Sequence, residues 1–295
     1  MKWITALLAA GAALAGVSCL TGNRQLSVEE ETVYCRSLPE NFEGLRIVLI
    51  ADLHKKKFGK GQCCLIDSVR AAHPDIIVFA GDLYSRSDKD PSDKVKLMKE
   101  LGDIAPVYYS AGNHEINDPV LFEALCHKLK SIGINVLRNR LAVLTRGRQR
   151  LNIYGLQLPL KYYVNRDGSY RDLPEATYDD MLKYLGRIDK QQCNLLIAHD
   201  PLFFEAYEQW GADLVMSGHV HGGVIRLPFI GGLFSPERKL FPKYSKGLYR
   251  IGNSTMAVTT GLGKFRFNNP SQIMVLNLTG RKKPEKHFRG RPWEL

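Results

Sequence analysis

Short apolar runs rich in β-branched residues recur along the chain, and each closely precedes a polar tip. Arg46–Ala51 (RIVLIA), Ile76–Ala80 (IIVFA), Leu195–Ala198 (LLIA) and Leu214–Met216 (LVM) are of this kind, and Val107–Ala111 (VYYSA) is a more polar version. Continuous apolar runs of this length predict strands buried on both faces. Between them, Gly61–Ala72, Ser92–Leu101 and Pro119–Ile132 carry apolar residues at helical spacing. The order βαβαβα with short connections predicts a parallel sheet. Leu141–Leu144 and Leu151–Leu156 read as paired strands around Arg146-Gly147-Arg148. The polar and aromatic stretch 159–173 reads as a lid or loop, and Ala176–Leu185 as a helix. Leu248–Ile251, Met256–Thr260 and Ile273–Leu278 are expected to close a second sheet. Gly22–Pro39 reads as a polar linker with strand character near Thr32–Arg36. There is no internal repeat and no low-complexity tract.

The polar tips carry the chemistry. They are Asp52-Leu53-His54, Gly81-Asp82, Gly112-Asn113-His114-Glu115, Ala198-His199-Asp200 and Gly218-His219-Val220-His221. The chain has eight His, and five of them fall in these tips. Scattered structural His would not land repeatedly just past strand ends beside Asp or Gly. A hydrolytic site needs an activated water and neutralised charge on the group under attack. Two divalent ions roughly 3.5–4 Å apart supply both. Imidazole with carboxylate suits Mn, Fe, Zn, Ni or Co without selecting sharply among them. His73, in a helix-to-strand turn, His127, in a helical stretch, and His287, in a basic tail, read as solvated or partly packed.

The order D-x-H, G-D, G-N-H-E, H, G-H-x-H closely resembles the calcineurin-like metallophosphoesterase superfamily over about residues 45–278. The resemblance implies a four-layer αββα sandwich of two mixed sheets flanked by helices, with a dinuclear metal site at the strand ends. It implies Asp52, His54 and His221 as ligands of a first metal and Asp82 as a bridging carboxylate. Asn113, His199 and His219 would bind the second. His114 matches the family's catalytic His, which does not ligate metal. It would bind transition-state oxygens or protonate the leaving group. A water or hydroxide between the metals would be the nucleophile. Gly218–Lys239, with Thr260-Gly261-Leu262-Gly263, is similar to the bacterial membrane-associated phosphodiesterase branch named after YkuE and YaeI. Gly81–Ser87 (GDLYSRS) departs from the G-D-x-V-D-R-G of Ser/Thr protein phosphatases.

Composition adds an electrostatic bias. Net charge is +11, and 44% of residues are apolar. One large α/β core and an anionic substrate or surface fit these values. Lys55, Lys56, Lys57 and Lys60 follow the first tip, and Arg226 follows the last. They are candidates to face an anionic substrate, and Lys55–Lys57 to tune its choice. The six Cys (Cys19, Cys35, Cys63, Cys64, Cys126, Cys193) form no C-x-x-C pair, so mostly free thiols are expected rather than a disulfide framework.

Trp3–Leu20 carries no charge over 18 residues and follows Lys2. That length just spans a bilayer. Ala13-Leu14-Ala15 also offers a signal-cleavage site. The expected organisation is therefore a signal peptide or membrane anchor at 1–21, a linker at 22–44, the catalytic domain at 45–280 and a basic tail at 281–295. The domain is expected outside the cytoplasmic membrane, or secreted if the signal is cleaved. The activity expected is metal-dependent hydrolysis of phosphodiester or pyrophosphate bonds, with two divalent ions, Mn first among them. A phospholipid or nucleotide-activated lipid is the expected substrate. A nuclease or nucleotide phosphodiesterase, or a non-catalytic scaffold of the same fold, is the alternative. No separate nucleic-acid module or aromatic–basic stripe favours nucleic acid.

Overall fold

The structure is a computed structural model, and it describes residues 26–223, 226–227, 231–234, 240–263 and 269–281. Among the described residues the strands are β1 (Leu26–Tyr34), β2 (Arg46–Ile50), β3 (Ile76–Ala80), β4 (Val107–Ser110), β5 (Asn135–Val136), β6 (Arg140–Arg146), β7 (Gln149–Leu156), β8 (Asn194–Ala198), β9 (Leu214–Ser217), β10 (Arg226–Leu227), β11 (Gly231–Gly232), β12 (Gly247–Ile251), β13 (Ser254–Val258) and β14 (Ser271–Thr279). The helices are α1 (Cys63–Ala71), α2 (Ser92–Gly102), α3 (Asn113–Asn117), α4 (Pro119–Ser131), α5 (Tyr178–Leu185) and α6 (Phe204–Trp210).

Two six-stranded mixed sheets form the centre, in the orders β1-β14-β2-β3-β4-β5 and β12-β13-β9-β8-β7-β6. The alternation of side chains along each strand builds the layers. On β3, Ile77 and Phe79 join α1, α2 and α4 in one core, while Ile76, Val78 and Ala80 face the other sheet. On β8, Leu195 and Ile197 complete that central core, while Leu196 and Ala198 pack with α5 and α6. Every residue of β3, β8 and β9 is buried, which is why these runs read as uninterrupted apolar sequence. The result is the expected four-layer αββα sandwich.

Two expectations are corrected. Ile273–Leu278 does not close the second sheet. As β14 it enters the first sheet, antiparallel to β2 with Met274 opposite Leu49. The second sheet is closed by the β12–β13 hairpin. The stretch after β13 is long enough to cross between sheets, and β14 then buries Ile273 and Val275 against the helices and Met274 and Leu276 between the sheets. The segment read as a linker instead forms the nine-residue edge strand β1, parallel to β14 over its full length. Its Glu residues masked it. They are the charges of a solvent-facing edge, with Glu30 paired to Arg46 at 2.7 Å and Glu29 to Lys246. Helix α6 was not foreseen, although Phe204, Tyr207 and Trp210 are buried at three-residue spacing. The apolar segment 3–20 and the basic tail beyond Arg281 lie outside the described residues. Among the described residues no helix is long and apolar enough to cross a membrane.

Candidate metal centre

The chain ends of β2, β3, β4, β8 and β9 meet at one edge of the sandwich, and the five polar tips meet with them. Three overlapping clusters result: Asp52, His54 and His221; His54, Asp82 and His114; Asp82, His199 and His219. Within each, the potential ligand atoms lie within 4.8 Å of one another. Asp82 belongs to two clusters and so does His54. All eight residues singled out in the sequence are therefore at this edge, since Asn113 and His114 open α3 beside Asp82. The backbone N–H of His114 donates to Asp82 Oδ1 at 3.0 Å.

The local backbone is strained here. Asp52, His54, Asp82, His219 and His221 all have positive φ, between 51° and 65°. For residues with a Cβ the left-handed conformation costs roughly 1–2 kcal/mol each. Such strain persists where surrounding structure over-determines it, and it concentrates at functional sites. The turns also need bare backbone. A Cβ on Gly112 would lie 2.6 Å from Asp82 N. Gly261 (φ 69°) touches Asp52 so closely that a Cβ there would fall 2.8 Å from Asp52 Cβ. The Thr260–Gly263 segment thus supports the first tip from behind, and Leu262 N–H donates to Ala51 O at 3.0 Å.

Hydrogen bonds fix the imidazoles. His199 Nδ1–H donates to Ala80 O at 2.7 Å. Its Nε2 then faces Asp82 Oδ2 at 3.4 Å, Asp52 Oδ1 at 3.8 Å and His219 Nδ1 at 3.2 Å. His114 Nδ1 accepts the Arg86 backbone N–H at 3.2 Å, which puts the proton of a neutral ring on Nε2, 3.8 Å from Asp82 Oδ2. Burial pulls the His54 pKa down to about 4, with Asp82 opposing. Burial also lowers that of His114, again against Asp82. His199 goes the other way. Burial disfavours its charge, but Asp82, hydrogen-bonded and charged, and then Asp52 outweigh it and push the ring up to about 10. Burial opposes the charge of Asp82 too, yet His199 and His114 hold it well below the usual carboxylate range.

The set fits divalent cations. Two buried carboxylates, Asp52 and Asp82, share three clusters with five imidazoles. Asn113 Oδ1 is buried without a hydrogen-bond partner, an arrangement that costs free energy unless a cation takes the lone pairs.

Other expectations fare unevenly. Lys55 and Lys57 are exposed beside the site, but Lys56 is buried and not presented to solvent. Lys55 pairs with Asp88 at 3.3 Å. Arg226 reaches back to Gly222 O at 3.4 Å. His73 and His127 are exposed and belong to none of the three clusters, and His287 lies outside the described residues. The five described Cys are free, three of them buried and two exposed.

Three residues received no role from the sequence. Glu115 is fully buried, and its carboxylate accepts N–H groups from Gly112 (2.7 Å), Asp82 (2.9 Å) and Tyr84 (3.3 Å). It clamps the second tip to the third. Its place three residues after Gly112 is the capping-box spacing, which was the available signal. Burial, and then the Asp82 charge, push its pKa up to about 7. Lys94 Nζ donates to His54 O at 2.5 Å, holding the first tip from α2. Tyr163 comes from the expected loop, and its ring centroid lies 5.5 Å from that of His219. Neither of the last two had a local sequence signal.

A two-sheet sandwich with carboxylate and imidazole converging at its strand ends is the architecture of a metal-dependent phosphoesterase. The chain belongs to the calcineurin-like phosphoesterase family, whose model matches residues 45–223. It is 28% identical to an uncharacterized metallophosphoesterase of Campylobacter jejuni, Cj0846, over 88% of this chain and 66% of that protein. It is 25% identical to the uncharacterized metallophosphoesterase YkuE of Bacillus subtilis, over 94% of this chain and 96% of that one. It is 27% identical to the phosphodiesterase YaeI of Escherichia coli, over 81% and 84% respectively. The family places the chain among hydrolases of phosphate esters.

Proposed function

We propose that the protein is a two-metal phosphodiesterase that hydrolyses phosphodiester or pyrophosphate bonds. Its substrate is an anionic molecule of the membrane or cell envelope, such as a phospholipid or nucleotide-activated lipid. The observation that carries the chemistry is the sharing of buried Asp82 between two ligand clusters. Asp52, His54 and His221 would hold one ion, and Asn113, His199 and His219 the other, with Asp82 between them. Divalent ions bound there would neutralise phosphoryl charge and acidify a water for in-line attack.

The chain's own residues supply orientation and a proton. With Nδ1 occupied by Arg86 N–H, His114 presents Nε2–H to a phosphoryl or leaving oxygen. Its lowered pKa keeps the ring neutral at neutral pH, so it acts as a hydrogen-bond donor that can also hand a proton to the leaving group. No position of the ligand set or His114 is missing, which disfavours a scaffold without activity.

The phosphodiester preference draws support from the YaeI relative, whose name is phosphodiesterase. The membrane setting draws it from the uncharged run Trp3–Leu20, which we read as an anchor or export signal placing the domain on the extracytoplasmic side. The test is hydrolysis by purified full-length protein with Mn²⁺. Bis-p-nitrophenyl phosphate should be cleaved faster than p-nitrophenyl phosphate, and extracted envelope lipids should release phosphate-bearing headgroups. A marked preference for the monoester would overturn the phosphodiesterase reading.

A further inference from the structure

The candidate metal edge is also where Leu26, the first described residue, lies. Strand β14 runs antiparallel to β2, so its start lies beside the β2 end that carries Asp52. Strand β1 is parallel to β14, with Leu26 opposite Ser271. Ser27 Oγ donates to Ser271 O at 3.1 Å. Two residues before Ser271, Asn269 Nδ2 donates to His221 O at 2.6 Å. The first described residue therefore sits at the rim of the candidate site. The uncharged run ends at Leu20. Six residue steps at no more than about 3.6 Å each span at most roughly 22 Å. Were that run in a bilayer, the metal edge would be held near the lipid surface.

The same edge carries exposed apolar side chains. Phe234, Leu240 and Phe241 are 38%, 59% and 43% exposed. They are neighbours, because Phe234 and Leu240 form an antiparallel bridge and Phe241 N–H donates to Leu233 O at 2.9 Å. Their support begins directly behind the last tip. Gly232 packs on Gly222 and Gly223 so tightly that a Cβ there would lie 2.7 Å from Gly222 O. Gly247, at the start of β12, pairs with Val258 at the same end of the second sheet. Close after His54 along the chain come the exposed Lys57 and Lys60, and Lys55, which pairs with Asp88 at 3.3 Å. Exposed aromatic and aliphatic side chains on a chain of net charge +11, with exposed Lys57 and Lys60 close after the first tip, match an anionic bilayer, where aromatic side chains enter the interface and Lys meet headgroups.

We propose that the metal edge seats on an anionic lipid surface through Phe234, Leu240 and Phe241, so that the candidate site opens onto the headgroup layer. The proposal deepens the membrane setting given above and rests on it. It also makes the apolar tip a determinant of which substrates are reached, separate from the residues that cleave them.

The test uses the full chain with vesicles of phosphatidylcholine and phosphatidylglycerol. A photoreactive benzophenone side chain is placed at Leu240, and in a separate variant at Arg148, in the exposed turn at the opposite edge. Illumination should give phospholipid adducts at 240, detected by mass, far above those at 148, and fewer with phosphatidylcholine alone. Equal adducts at the two positions, or adducts at 240 to protein instead of lipid, would overturn the seating. A second arm combines Phe234→Ser, Leu240→Ser and Phe241→Ser. Turnover of bis-p-nitrophenyl phosphate should be unchanged, while cleavage of a vesicle-borne phosphodiester falls on the order of tenfold. An equal effect on both substrates would also overturn it. Failure of the two readings is distinguishable. Lipid adducts without any phosphodiester cleavage would remove the proposed activity and leave the seating. Cleavage without adducts would do the reverse.

Discussion

The two ends of the central strands are built on opposite rules. At the far end, the carboxylates of Asp75 and Glu30 are paired and exposed. Asp75 accepts the Arg46 backbone N–H at 2.8 Å and meets Arg146 at 2.6 Å, and Glu30 takes the Arg46 guanidinium. At the metal edge, Asp52 and Asp82 are buried among imidazoles, five residues hold left-handed backbone and the Asn113 carbonyl oxygen has no partner. The same residue types thus stabilise one end and burden the other. Strain and unmet polarity are kept where a ligand will compensate them.

The contrast is broken most severely at Asp82. Asp82→Asn should lower metal content at both clusters and cut turnover by more than the roughly 10²–10⁴-fold typical of one acid–base group. On the proposed assignment, one bridging charge would serve two cations. Metal analysis by mass spectrometry, beside turnover, checks this, and full metal content in the variant would remove the bridging role. Next comes His114→Ala. It should keep its metals and lose about a hundredfold in turnover, while His73→Ala, at an exposed turn, changes neither. Equal losses from the two would sink the role given to His114.

Much of this contrast was legible in the sequence, for a physical reason. Doubly buried strands such as Ile76–Ala80 must be continuously apolar, and their polar tips then stand out. All eight residues read from those tips reached one edge. What failed was long-range placement. Nothing local to Ile273–Leu278 says which sheet it joins, because that depends on the span crossing from β13. The edge strand β1 hid behind Glu29, Glu30 and Glu31, whose charges resemble a linker. Supports that arrive from elsewhere, such as Lys94 on His54 and Tyr163 beside His219, leave no mark in the tips they hold.

The pH dependence of metal binding sharpens the contrast within the site itself. In the ion-free protein His199 is raised to about 10, whereas His54 is lowered to about 4. A cation bound there would displace a proton from His199 throughout neutral pH and none from His54. Affinity at the cluster holding His199 should therefore rise with pH, by up to about tenfold per unit between the ordinary histidine range and about 10. The ion-free fold responds oppositely. A pKa raised on folding contributes stability that is complete below the unfolded value and lost as pH rises through about 10. Calorimetry in buffers of different ionisation enthalpy reads the released proton. Affinity that is flat through this window would mean that His199 is already neutral.

The smallest effects compare one carboxylate from each end. Glu115 and Asp75 both accept backbone N–H groups, Glu115 from three residues and Asp75 from one. Burial is what separates them. Glu115→Gln keeps the shape but swaps a carboxylate oxygen for an amide donor, so at least one buried N–H of the Gly81–Tyr84 or Gly112 turns is left facing another donor. Thermal or chemical unfolding should show a loss of about 1–3 kcal/mol, and turnover should fall with it as the two tips loosen. Asp75→Asn keeps an acceptor for Arg46 N–H and gives up a half-exposed ion pair with Arg146. Its cost should be at most about 1 kcal/mol, smaller still at high salt, with turnover unchanged. Loss of activity in Asp75→Asn without loss of stability would mean that the far end couples to the metal edge, and the division between the two ends would no longer hold.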